Sequence, residues 1–302
     1  MNPKKPTFLI IGSSKCGTTT LADVLADHPD CCMGRPKEVR FFQEITDCDP
    51  NPNYDKGWEW YSQAFGHYQG EPVIGEATPA YSERSRSPQT ARRIFEFNPG
   101  MKIIYMVRDP MDRQVSAWRM HHFEGVNGET ALPFPGWALQ GFDYWTREMK
   151  KVKEWDECRY GFQLAAYHEF FPREQILVSF LKDLKQHRDQ ELARISRFLS
   201  LDPARLPAPD SAGSNRAEDR KIERPWFKRL RSSPVARATA RILPQVLRYK
   251  AVGGLGTEKW VPPQPDLSPD TRQEFLSYVS ADARKFLQDW GKPPGFWPSI
   301  QD

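Results

Sequence analysis

"TFLIIGSSKCGTTTLADVLADHPD", residues 7–30, passes from a short apolar run into a helical pattern through an almost wholly polar decapeptide, residues 11–20. "TFLIIG" is apolar at consecutive positions, as in a strand buried on both faces. In such a strand–turn–helix unit the amides of a glycine-containing turn face whatever sits above the sheet edge. The unsatisfied first-turn amides of the next helix and its positive dipole end point the same way. Thr18, Thr19 and Thr20 add hydroxyls and Lys15 adds a positive charge. The stretch therefore reads as an anion site, most economically a phosphate site. A plain strand-to-helix turn with Thr18 as N-cap is the alternative.

Outward from this unit the alternation continues. "PVIGEA" (72–77), "KIIYMVRD" (102–109) and "QILVSF" (175–180) are further continuous apolar runs. Helical patterns fall at 18–27, 57–65, 88–97, 110–122, 161–171 and 185–199. Strands alternating with helices predict an α/β architecture with a central parallel sheet flanked by helices, binding its ligands at the carboxyl ends of the strands. "LSPDTRQEFLSYVSADARKFLQDWG" predicts a final amphipathic helix, with Ser268 as N-cap, Pro269 at the first position and Gly291 after the last turn.

The 302 residues suffice for one large domain or two small ones, and a net charge of +4 permits an anionic ligand without demanding nucleic acid. No apolar stretch approaches the roughly 20 residues of a membrane helix, and the apolar run after Lys4 and Lys5 is too short for a signal-peptide core. Five cysteines (Cys16, Cys31, Cys32, Cys48 and Cys158) show no metal spacing and no CxxC pair, the pattern of a reduced, cytoplasmic protein with free thiols. The segment at about 203–266 departs from the rest, being rich in proline, arginine and glycine. Residues 216–250 hold eleven basic residues against three acidic ones. It reads as a partly helical lid with a solvated basic face. Covering a bound ligand, contacting an anionic partner and lying on an anionic membrane surface are its other readings.

The order of residues in the first loop separates it from the common nucleotide loop. A Walker A loop is GxxxxGK[ST], with lysine after the second glycine; here Lys15 precedes Gly17. A second motif, "RPKEVRFF" (35–42), places Glu38 beside two aromatic residues. It reads either as a surface charge pairing with Lys37 or Arg40, or as a general base near the phosphate loop. Phe41 and Phe42 would fix the segment in the core. In a third, "IIYMVRDPMDRQVSAWRMHH" (103–122), Arg108 stands at the carboxyl end of an apolar run. Asp109 and Pro110 can cap the following helix, and Ser116 lies two turns into it.

The loop K-x-G-[TS]-T resembles the 5′-phosphosulfate loop of sulfotransferases that use 3′-phosphoadenosine 5′-phosphosulfate (PAPS). "KEVRFF" resembles the segment carrying the catalytic glutamate of the heparan-sulfate sulfotransferases, and Arg108 with Ser116 matches the family's R-[DN]-P-x-[DE]-x-x-x-S. "KGWEWYSQAF", "IGEATPAYSERSRSPQTARRIFEFNPGMKIIYMVRDP", "YGFQLAAYHEFFPREQILVSF" and "FLQDWGKPPGFW" extend the likeness to heparan-sulfate N- and O-sulfotransferases and their bacterial relatives over most of the chain.

The resemblance implies a P-loop-NTPase-like three-layer fold, with 1–302 as one sulfotransferase domain interrupted by the basic segment. It also implies transfer of a sulfuryl group from PAPS to a hydroxyl or amine of a carbohydrate, lipid or small molecule. Lys15, Cys16, Gly17, Thr18, Thr19 and Thr20 would hold the 5′-phosphosulfate, Arg108 and Ser116 the 3′-phosphate, and Glu38 would deprotonate the acceptor. No metal and no nucleic acid are implied, and the basic 216–250 segment would make any peripheral membrane contact. Trp58, Trp60, Trp137 and Trp145 are candidates for an acceptor cleft, and His121 or His122 for a helping histidine. Arg216, Arg248, Lys250 and Lys259 are candidates for completing the 3′-phosphate site. Heparan-sulfate O-sulfotransferases read "EKTPAY" where this chain reads "EATPAY", with Ala77. An ATP-dependent P-loop kinase and a non-catalytic nucleotide- or glycan-binding module are the competing functions.

Overall fold

The computed structural model describes residues 4–44, 53–127, 135–206, 220–224 and 257–300. They fall into two compact units, one formed by 1–117, 146–214 and 267–302, the other by 118–145 and 215–266.

The first unit is built on a five-stranded, wholly parallel sheet. Its strands are β1 (Phe8–Gly12), β2 (Cys31–Met33), β3 (Val73–Ala77), β4 (Lys102–Val107) and β5 (Ile176–Phe180), in the order β2-β3-β1-β4-β5. All four predicted apolar runs are strands of this sheet. Each of the four but the first residue of β4 is buried along its whole length, as a sheet covered on both faces requires. The edge strand β2 has no apolar run to announce it and is set by register, Cys32 lying opposite Ile74.

The helices of this unit fall near their predicted places: α1 (Thr18–Ala26), α2 (Gly57–Ser62), α3 (Thr90–Phe97), the start of α4 (Pro110–Asn127) and α7 (Tyr160–His168). The predicted 185–199 helix is two, α8 (Leu181–Gln186) and α9 (Arg188–Leu199), parted at His187, whose φ of −133° and ψ of 46° leave the helical region. The final helix, α10 (Pro269–Asp289), starts as read from sequence: Ser268 Oγ accepts from the Thr271 amide at 3.3 Å. One core cluster joins Phe8 and Ile10 of β1, Leu21 and Leu25 of α1, Leu177 of β5, and Ile195 and Leu199 of α9.

In the second unit are the short α5 (Pro135–Ala138), the start of α6 (Phe142–Lys151) and the antiparallel pair β6 (Lys221–Glu223) and β7 (Thr257–Lys259). Trp118 Nε1 donates to Ala138 O at 3.0 Å, and the Phe142 amide donates to Asp266 Oδ1 at 2.7 Å. Trp145, expected as a cleft residue, is fully buried, its Nε1 donating to His121 Nδ1 at 3.1 Å. His121 is thus engaged in packing this unit, and His122 packs against Trp118 and Trp260. Burial lowers the pKa of His122, which favours the neutral ring. Lys259 is exposed on β7. Arg216, Arg248 and Lys250, with most of the basic segment, lie outside the described residues, as does Cys48. Cys16, Cys31, Cys32 and Cys158 are free thiols. Among the described residues no helix is long and apolar enough to cross a membrane.

Candidate active site at the carboxyl ends of the parallel strands

With β1 between β3 and β4, the connections leave β1 on one side towards β2 and β3 and arrive on the other at β4 and β5. Such a reversal opens a crevice at the carboxyl ends of the strands. Four of those ends carry residues singled out in the sequence, namely the 13–17 loop after β1, Glu38 after β2, Ala77 closing β3 and Arg108 after β4; Glu76, beside Ala77, was not among them.

The loop after β1 is pinned on two sides. The Ser13 amide donates to Met106 O on β4 at 2.5 Å, and Ser13 Oγ donates to Glu157 O at 3.4 Å. Gly17, not Thr18, is the N-cap of α1, with φ of 92°, and no side chain caps the helix. A Cβ at Gly17 would lie 2.7 Å from Leu181 Cδ1, so conformation and space both demand glycine. The first-turn amides of α1 are therefore left for a ligand or water. Lys15 adopts a left-handed φ of 66° and is half-buried. Thr18 is buried, while Thr19 and Thr20 are half-buried. Cys16 points the other way. Its thiol is fully buried, 3.9 Å from Tyr160 Oη, its amide donates to Ser13 O at 3.2 Å, and burial pushes its pKa up to about 11.

Glu38 lies on the segment after β2. Its Oε1 is 3.1 Å from Lys37 Nζ and its Oε2 is 3.4 Å from Arg40 Nη2, with about a third of the side chain exposed. Both surface pairings read from the sequence are thus present. Lys37 Nζ also donates to Thr18 Oγ1 at 3.4 Å and Thr19 Oγ1 at 3.2 Å, so one ammonium links the start of α1 to the carboxylate.

The segment itself is held from below. Phe41 and Phe42 are buried, Phe41 stacked on Tyr61 with ring centroids 4.3 Å apart. The Phe41 amide donates to Tyr81 Oη at 2.8 Å, and Tyr81 Oη donates to Glu76 Oε1 at 2.5 Å. Thr78 Oγ1 and Tyr61 Oη also donate to Glu76, at 2.7 Å and 3.3 Å. Burial nevertheless prevails over these three hydroxyls and, with the nearby Glu38 charge, pushes the Glu76 carboxyl up to about 7. An acid whose pKa is raised by folding favours the native state while protonated. Stability therefore falls as pH rises from about 4.5 to about 7, by on the order of 3 kcal/mol. Melting temperatures measured from pH 4.5 to 7.5 will show a shallower decline in Glu76→Gln than in the wild type. Parallel curves would contradict this.

Arg108 follows β4, a quarter exposed, with Nη2 3.3 Å from Asp112 Oδ2. Asp109 caps α4 as expected, accepting from the Met111 amide at 2.9 Å, and also binds the amide and hydroxyl of Ser299. Asp112 and Ser116, four residues apart, share a face of α4. The next turn is anchored in a buried charge network that the sequence did not reveal. Arg113 Nη2 donates to Glu154 Oε1 at 2.8 Å and contacts Glu157, while Arg86 meets Glu83 at 2.9 Å, Glu154 at 3.3 Å and Glu157. Burial works against the Arg113 charge, but Glu157 and Glu154 outweigh it and keep the guanidinium protonated. Burial in turn pushes Glu157 up.

This arrangement gathers two sets of groups suited to anions. Uncapped amides, threonine hydroxyls and lysines lie at one strand end, and a guanidinium with a serine two turns away lies at another. Among the described residues no group of His, Cys, Asp and Glu is placed to hold a metal.

Comparison with known proteins finds relatives of the chain. A family model described as "Sulfotransferase domain" matches residues 5–242. The membrane-associated sulfotransferase kil1 of Dictyostelium discoideum is 36% identical over 121 residues, 39% of this chain and 23% of that protein. Human heparan sulfate glucosamine 3-O-sulfotransferase 5 is 30% identical over 201 residues, covering 66% of this chain and 54% of its own length. The chain thus spans about half or less of these two relatives. A sulfotransferase crystal structure from Alicyclobacillus acidocaldarius shares the fold, with a TM-score of 0.64 at 20% identity, covering 98% of this chain and 100% of its own.

Proposed function

Since the chain belongs to the sulfotransferase domain family, we propose that it moves a sulfuryl group from PAPS to a hydroxyl or amine of a glycan, lipid or small-molecule acceptor. The observation carrying this reading is that the uncapped start of α1 and the Glu38 carboxylate are joined through a single ammonium, Lys37. Anion-binding groups and a base stand one contact apart, and a pure binder needs no base there. The competing kinase would need its lysine after Gly17, where Thr18 stands.

Lys15, the amides from Gly17 to Thr20 and the threonine hydroxyls hold the 5′-phosphosulfate and oppose the negative charge that develops on the leaving phosphate oxygen. Arg108 and Ser116 hold the 3′-phosphate, which distinguishes this donor from ATP. Glu38 takes the proton from the acceptor, a contribution of typically 10²–10⁴-fold. PAPS supplies the activated sulfuryl group; the protein's part is position and charge. The reading of 1–302 as one domain interrupted at about 203–266 belongs to the same proposal.

Thermal unfolding with adenosine 3′,5′-bisphosphate and with ATP–Mg²⁺ tests the donor, and transfer of labelled sulfate to a panel of glycans, lipids and phenols tests the reaction. The bisphosphate at about 100 times its Kd will stabilise the protein by roughly 2.7 kcal/mol. Stabilisation by ATP–Mg²⁺ alone would defeat the reading, and stabilisation by the bisphosphate without transfer to any acceptor would favour the binding module.

A further inference from the structure

Lys37 follows the short edge strand β2, and its charge is placed more exactingly than that of a surface lysine. Only about a quarter of its side chain is exposed. Its ammonium touches both Thr18 and Thr19 of α1 and Oε1 of Glu38, and its carbonyl accepts from the Ala77 amide at the end of β3 at 3.1 Å. The nearby Asp23 carboxyl, pushed up by burial, is pulled back by the Lys37 charge. The ammonium therefore lies over the same first turn whose amides favour an anion. Glu38 meanwhile has both oxygens engaged by cations, Oε1 by Lys37 and Oε2 by Arg40, so neither is turned to an acceptor.

We propose that Lys37 is a donor-binding residue that couples donor occupancy to the base: its ammonium exchanges Glu38 Oε1 for the 5′-phosphosulfate held over Thr18 and Thr19, releasing Glu38 to receive the acceptor's proton. The proposal rests on the sulfotransferase reading above. Ala77, whose amide holds the Lys37 carbonyl, stands where the heparan-sulfate O-sulfotransferases read "EKTPAY". In this chain a positive charge reaches that strand end from the segment after β2. The step balances without another reactant. The acceptor's oxygen or nitrogen bonds to sulfur as the bond from sulfur to the phosphate oxygen breaks. That bond's electron pair stays on the phosphate beside Lys37, and the acceptor's proton goes to Glu38.

Calorimetric titration of the full chain with adenosine 3′,5′-bisphosphate, and with adenosine 3′-monophosphate that lacks the 5′ group, tests this. Lys37→Met will weaken the bisphosphate roughly 10- to 100-fold and leave the monophosphate unchanged, and Lys37→Arg will recover most of the loss. Taking the ratio of the two Kd values within each variant removes any difference in folded fraction. Glu38→Gln will tighten the bisphosphate by roughly two- to fivefold, since the ammonium no longer leaves a carboxylate. A wild-type ratio in Lys37→Met overturns the role of Lys37 and leaves the sulfotransferase reading standing. No tightening in Glu38→Gln overturns the coupling. A wild type that does not bind the bisphosphate overturns the parent reading, and Lys37 with it.

Discussion

Glu38→Gln will lower turnover by roughly 10²–10⁴-fold while the protein still binds adenosine 3′,5′-bisphosphate. The amide keeps the shape of the side chain but cannot take a proton. Of the two carboxylates at this end of the sheet, Glu38 is about a third exposed, whereas Glu76 is fully buried beneath three hydroxyl donors. Only the first reaches solvent, from which a substrate would arrive. Steady-state transfer of labelled sulfate, paired with calorimetry on the same preparation, separates lost chemistry from lost binding. Turnover near wild type would remove Glu38 from the mechanism.

Arg113→Met will cost roughly 3–5 kcal/mol of stability. The guanidinium is 1% exposed and bonded to both Glu154 and Glu157, and its loss removes a cation from both carboxylates in a buried site where Arg86 also serves Glu83. A whole domain is stable by only about 5–15 kcal/mol, so the loss is a large share of the total. Urea unfolding at neutral pH measures it. Adding Glu157→Gln will restore part of the stability, because that carboxylate is then no longer a buried charge facing too few cations. A cost below about 1 kcal/mol would show the network to be worth little.

The four apolar strands were legible because burial on both faces leaves continuous apolar runs, and α10 because Ser268 and Pro269 mark its start. β2 was not. Three residues, "CCM", form no pattern, and their strand character comes from pairing with β3. α6 did leave a trace: Phe142, Trp145 and Met149 recur at helical spacing and are all buried. In the site, the positions of Lys15 and Arg108 at two strand ends were read from the sequence, whereas Glu38 was read only as near the phosphate loop, since the strand before it left no pattern. The reach of Lys37 to Thr18 and Thr19 did not, because residues nearly twenty positions apart meet only when the sheet is assembled. The Arg113 network was hidden for the same reason, its partners lying more than forty residues along the chain.

Tyr81 has a consequence for anyone seeking to redirect the proposed transfer. One phenol oxygen receives the Phe41 amide and gives its hydrogen to Glu76, so a rigid ring rooted just after β3 acts as a strut of fixed length whose tip joins that strand to the backbone three residues beyond Glu38. Struts of this kind do not tolerate shortening. Libraries aimed at new acceptors should hold Phe41, Phe42, Glu76 and Tyr81 constant and draw their diversity from side chains that bear no part of that span.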